Sequence, residues 1–136
     1  MGELINTMKI ASSGMRVQGK RLRIIAENLA NASSLAQGPG KLPYRRKVVT
    51  FKTQFDRKLG IDLVTIDKVG YGRGEFSKKF DPTHPAADAD GYVLLPNVNP
   101  LIEMMDMREA QRSYEANVAA IKASKAMLKS TLDILR

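Results

Sequence analysis

The chain has 136 residues, room for about one small domain, and no cysteine, which excludes disulfides, thiolate metal sites and cysteine nucleophiles. Hydrophobic residues make up 43% and charged residues 26%, as in ordinary folded proteins, but aromatics are only 6% and Trp is absent, so burial must rest on Ala, Leu, Ile and Met at regular spacing. The net charge of +8 divides into +3 over residues 1–34, +4 over 35–99 and +1 over 100–136, a basic surface rather than a basic tail.

The first 34 residues read as one long helix. Leu4, Met8, Ala11, Met15, Gln18, Leu22, Ile25 and Leu29 alternate steps of four and three, an apolar heptad seam that only Gln18 interrupts. The helix is expected to die out near residues 31–34, before Gly38-Pro39-Gly40 prevents continuation. Asn28 borders the seam, where an unpaired amide is costly. Its side chain is expected to hydrogen-bond to backbone, or to a polar group of an adjoining helix or neighbouring subunit, and so to fix helix register. Asn31 reads as a helix-ending residue, because Asn tolerates the left-handed conformation.

From 35 to 99 the period changes. Tyr44 to Phe51 and Ile61 to Val69 are rich in β-branched and aromatic residues, and Glu75 to Phe80 and Gly91 to Leu95 are shorter strand candidates. The segments 70–74, 81–85 and 88–91, rich in Gly, Pro and Asp, separate them. The last 37 residues return to a heptad seam through Met104, Met107, Gln111, Tyr114, Val118, Ile121, Lys125, Leu128, Leu132 and Leu135. Asn99-Pro100 supplies an N-cap followed by Pro in the first helical position, and Glu103 and Asp106 suit the positive end of the helix dipole. Helices of about 28 and 35 residues would span roughly 42 and 52 Å, more than a globule of this mass offers. The expected fold is therefore mainly α with a small β insert. The N- and C-terminal helices pair as an antiparallel coiled coil, with a short β-hairpin-like segment between them.

Catalytic chemistry finds little support. His84, the only histidine, sits between Pro82 and Pro85 without a Cys or second His nearby. Asp88-Ala-Asp90-Gly91 begins like a calcium loop but has Asn99 at the twelfth position, and Gly70-Tyr-Gly72-Arg-Gly74 has Glu75 where a third glycine would be needed. No catalytic, cofactor or metal residue is assigned. Arg45-Arg46-Lys47 beside Tyr44, with Lys20, Arg21 and Arg23, keeps a small basic nucleic-acid-binding module as the alternative function. No zinc spacing or recognition-helix turn accompanies those residues. A solvated face, or an interface with acidic neighbours, is the better reading of them. No run of about twenty apolar residues occurs. The start also lacks a secretory signal pattern, so any export is expected to proceed without a cleaved signal.

One resemblance is specific. Ala11-Ser-Ser-Gly-Met15, Gln18, Arg21-Leu22 and Ile25-Ala-Glu-Asn-Leu-Ala-Asn-Ala32 resemble the amino-terminal signature of the flagellar basal-body rod family, the rod and hook axial proteins. Asn97-Val-Asn-Pro-Leu-Ile-Glu-Met-Met105 and Arg112-Ser-Tyr-Glu-Ala-Asn117 are similar to its carboxy-terminal signature. Pro43-Tyr-Arg-Arg-Lys47, His84-Pro85 and Ala87-Asp-Ala-Asp-Gly-Tyr-Val93 resemble the middle of a proximal-rod member.

The resemblance implies a structural subunit, not an enzyme, that polymerises into the drive shaft transmitting motor torque. It implies residues 1–34 and 100–136 as the helices of an axial coiled-coil domain and 35–99 as a small β insert. The implied partners are copies of itself, proximal and distal rod subunits, a rod-base adaptor and, in transit, the flagellar type III export apparatus, with no nucleic acid and no membrane insertion. The implied location is the periplasm-spanning rod of the basal body. The assembly interface is expected along Leu4, Met8, Met15, Leu22, Ile25, Asn28, Leu29 and Asn31 of the first helix. Its counterpart on the second is Met104, Met107, Tyr114, Asn117, Val118, Ile121, Leu128, Leu132 and Leu135. Because long amphipathic helices owe their stability mainly to packing, both ends of the free chain are expected to be poorly folded.

Overall fold

In the computed structural model, which describes residues 2–136, the two heptad segments are α1 (Gly2–Ala30) and α2 (Pro100–Ile134). The caps explain their limits. Asn99 accepts the Leu101 amide on its side chain at 3.0 Å and the Glu103 amide on its carbonyl at 3.0 Å, so Pro100 opens α2 with no amide to satisfy. Asn31 does end α1, but not through a left-handed backbone, since no described non-glycine residue has positive φ. Its side-chain amide instead donates to the Glu27 carbonyl at 2.9 Å, and its side-chain oxygen accepts from the Ser34 hydroxyl at 3.0 Å.

Four strands lie between the helices, in two separate two-stranded sheets. The first joins β1 (Lys47–Asp56) to β2 (Ile61–Tyr71). Asp56 closes the intervening turn by accepting the amides of Lys58 and Leu59 on its side chain and that of Gly60 on its carbonyl. The second pairs β3 (Ser77–Phe80) with β4 (Tyr92–Leu95), antiparallel, from Ser77 opposite Leu95 to Phe80 opposite Tyr92. The Phe80 and Tyr92 rings meet edge to face at 5.3 Å. β1 begins three residues later than the Tyr44 to Phe51 pattern suggested, because the Tyr44 hydroxyl and the Arg46 amide and guanidinium are engaged elsewhere, and it runs five residues further.

The chain forms two compact units. One comprises residues up to Leu22, Val49–Lys68 and Arg108–Arg136; the other comprises Arg23–Val48 and Val69–Met107. In the first, the buried side chains are small: Ala11, Ser13, Val17, Ala110 and Ser124. Its helices run antiparallel, because Gly14 faces Asn117, Gly19 faces Tyr114, and Arg21 reaches Glu109 at 3.6 Å as the index on α2 falls. A Cβ on Gly14 would come within 2.9 Å of the Asn117 amide, so the absence of a side chain permits the approach. In the second unit Ile24, Ile25, Ala36 and Val93 form the apolar core, joined by the fully buried polar side chains Asn28 and Glu103.

Candidate assembly site

Buried polar groups must be paired, and in the second unit Asn28 organises that pairing. Its side chain is 1% exposed. Its oxygen accepts the Tyr44 hydroxyl at 2.7 Å and the Lys47 amide at 2.9 Å, while its nitrogen donates to the Lys47 carbonyl at 3.0 Å and Glu103 Oε2 at 3.3 Å. All four bonds an amide side chain can readily make are present. The hydrogen-bond partners of Asn28 thus lie within the chain, and they tie the end of α1 to residues 44–47 and to the first turn of α2.

Glu103, wholly inaccessible, also accepts from Arg46 Nε, and Arg46 reaches Asp106 at 3.4 Å. The Arg46 amide donates to the Asn97 side chain at 2.7 Å, and Asn97 in turn donates to the carbonyls of Gly74 at 3.1 Å and Gly72 at 3.4 Å. Arg45 donates to the same two carbonyls and stacks over Phe76 at 4.4 Å. Lys47 pairs with Glu27. This clasp explains two perturbed groups. Burial foremost, then the Glu27 carboxylate, raises the Tyr44 hydroxyl above its ordinary 10.0, with Lys47 opposing. The hydrogen bond to Glu27 raises the Lys47 ammonium above 10.5.

Arg45, Arg46 and Lys47, the cations that the sequence offered to phosphate, are therefore engaged inside the chain. Sequence reasoning missed Tyr44, Arg46, Asn97 and Glu103 as one network. Each lies in a segment singled out by resemblance, but Arg46 and Glu103 are 57 residues apart and no local period links them. His84 serves its own turn by accepting the Ala86 amide at 3.0 Å. Among the described residues there is no cluster of His, Asp or Glu arranged to hold a metal, and no helix is long and apolar enough to cross a membrane.

The residues expected at an assembly interface divide by accessibility. Ile25 and Asn28 are buried in the subunit. Leu4, Met8, Met15, Leu22, Leu29 and Asn31 on the N-terminal side, and Met107, Tyr114, Asn117, Val118, Ile121 and Leu128 on α2, are half-buried. Met104, Leu132 and Leu135 are exposed, at 54%, 46% and 73%. Met127 and Ile134 join them at 57% and 82%, off the line of the heptad seam. What the site presents is apolar helix surface, not a reaction centre.

A long helix at each end with apolar side chains left in solvent, and a small β segment between, suit a structural subunit that assembles with others. Residues 89–134 match the C-terminal region of the flagellar basal body rod FlgEFG proteins. Over its full length the chain is 50% identical to the flagellar basal-body rod protein FlgC of Agrobacterium fabrum, spanning 98% of that relative. It is 37% identical over 131 residues to FlgC of Salmonella typhimurium, covering 96% of this chain and 97% of the relative. With FlgC of Bacillus subtilis it shares 35% over 144 residues, 95% and 96% of the two chains. The chain belongs to the FlgC family of flagellar basal-body rod proteins, and its role is structural rather than enzymatic.

Proposed function

We infer that this chain is a proximal-rod subunit of the flagellar basal body that polymerises through its terminal helices into the shaft transmitting motor torque. The observation that carries this reading is the apolar surface that α2 leaves in solvent, Met104, Met105, Met127, Leu132 and Ile134 among it, with Leu135 just beyond. Burying each such side chain fully is worth about 1.5–3 kcal/mol, and a single helix pair leaves that burial incomplete. Neighbouring subunits complete it. A head-to-tail contact of this kind propagates along an axis instead of closing.

The antiparallel contacts of α1 and α2 support a coiled-coil axial domain built from residues 1–34 and 100–136, with 35–99 as the insert. Family membership supports neighbours that are copies of this chain and other rod subunits, proximal and distal, together with a rod-base adaptor. It also supports passage through the type III export apparatus without a cleaved signal, and a final place in the periplasm-spanning rod.

Leu132→Asp tests the reading, because Leu132 is exposed in the subunit and its loss leaves the fold intact. Cells carrying it should export the protein normally yet lack completed rods and fail to swim. Full motility of that strain would show that α2 is not an assembly surface.

A further inference from the structure

In the first unit, the flank on which Gly19 of α1 meets Tyr114 of α2 carries a shallow cleft of about 400 Å³ lined by Tyr114, Glu115, Val118, Ala119 and Lys122. Its floor is apolar. Lys122 lines it, and further cations recur along both helices near its level. Lys9 and Arg16 are seven residues apart and so share one line on α1, with Lys20 one turn beyond Arg16. Extending the register set by Gly14 and Asn117 places Lys9 level with Lys122 and Arg16 level with Glu115. On α2 Lys122, Lys125 and Lys129 follow, all exposed. None of these six cations has an ion pair among the described residues, and Glu115 is the one acid among them.

Resting on the rod-subunit reading, we propose that this flank docks an amphipathic helix with an acidic edge from a different rod component, not from a second copy of this chain. Flanking charges decide which helices pair, since like charges at adjoining positions repel. A second copy has little acidic helix surface to offer. Glu27 of α1 and Glu103, Asp106 and Glu109 of α2 are already engaged by Lys47, Arg46 and Arg21. That leaves Glu3, Glu115 and Asp133, scattered among cations. The net charge of +8 likewise makes an acidic neighbour the better complement for this flank. An elongated apolar floor between cations suits a helix better than the polar backbone of a nucleic acid or the plane of a membrane.

The test uses the full-length chain and fluorescence anisotropy with labelled peptides of about three heptads. One carries a Leu seam with Glu flanks, the second the same seam with Lys flanks, and the third is residues 100–136 of this chain. The Glu-flanked peptide should bind at least about tenfold more tightly than either of the others and weaken as salt rises from about 50 to 300 mM. Lys9→Glu with Lys122→Glu should invert the preference toward the Lys-flanked peptide. Lys125→Glu with Lys129→Glu provides a second reversal, should the first pair disturb the helices. Equal or tighter binding of the 100–136 peptide, displacement of the Glu-flanked peptide by duplex DNA or phosphatidylglycerol vesicles, or an unchanged preference in both reversed variants would overturn the proposal. If Leu132→Asp abolishes rods while both charge-reversed strains build normal ones, this inference fails and the rod-subunit reading stands.

Discussion

Asn28 carries more of the fold than its size suggests, because every polar atom of its side chain is used in a place water does not reach. Replacing it with Leu improves helix propensity by a few tenths of a kcal/mol but strands the Tyr44 hydroxyl and the Lys47 amide and carbonyl, each worth about 1–3 kcal/mol if left unpaired. Asn28→Leu should therefore lower the urea midpoint of the free subunit before any effect on assembly is considered, and an unchanged midpoint would remove Asn28 from the clasp. Alkaline pH tests the same network from another side. Tyr44 and Lys47 both titrate above their ordinary values in the fold, so folded protein holds their protons more firmly than unfolded chain. Their contribution is complete below the unfolded value near 10 and is lost as pH rises through the higher folded values. Chemical denaturation measured from neutral pH upward should show stability falling above pH 10, with a shallower fall in Tyr44→Phe.

At the scale of elements, the two helices were legible because each repeats one simple pattern for many turns, and Asn99-Pro100 announces where the second begins. The strand segments were legible in place, but their extent and their division into two sheets were not. β1 starts at Lys47 because Tyr44 and Arg46 turn toward Asn28 and Glu103, partners that no local pattern reveals. The clasp stayed hidden for the same reason, and its cations looked like a surface. The loop between β3 and β4 offers a sharper check on its own geometry. Gly91 has φ of +85°, and a Cβ there would fall 2.9 Å from Phe80 Cε2 and 3.1 Å from Pro82 Cβ. Gly91→Ala meets both backbone strain and a rigid ring that already packs on Tyr92. It should cost about 1–3 kcal/mol, whereas Gly38→Ala, with open space around it, should change stability by less than about 0.5 kcal/mol. Equal midpoints for the two variants would mean that the β3 and β4 pair is not held against Gly91.

At the scale of the whole molecule, stability is unevenly provided. The second unit buries Ile24, Ile25, Val93 and a satisfied polar network, while the first relies on side chains as small as Ala11 and Ala110. Beyond Ser124 no residue of α2 is buried, and Leu128 and Thr131 are only half-covered. A helix end with little packing opens at small cost, since its hydrogen bonds compete with water and few contacts resist fraying. The burial pattern makes the expectation of poorly folded ends strongest for the last turns of α2. Native-state hydrogen exchange on the dilute free subunit should find the amides of Leu132 and Ile134 nearly unprotected. Those of Ile25, Asn28 and Leu29, within the helical segment that the clasp holds, should exchange only through opening of the second unit. In assembled rods the same α2 amides should become strongly protected, because neighbours then cover Leu132 and Leu135. Uniform protection along α2 in the free subunit would show that the helix needs no neighbour, and it would take away the physical reason for assigning its exposed face to assembly.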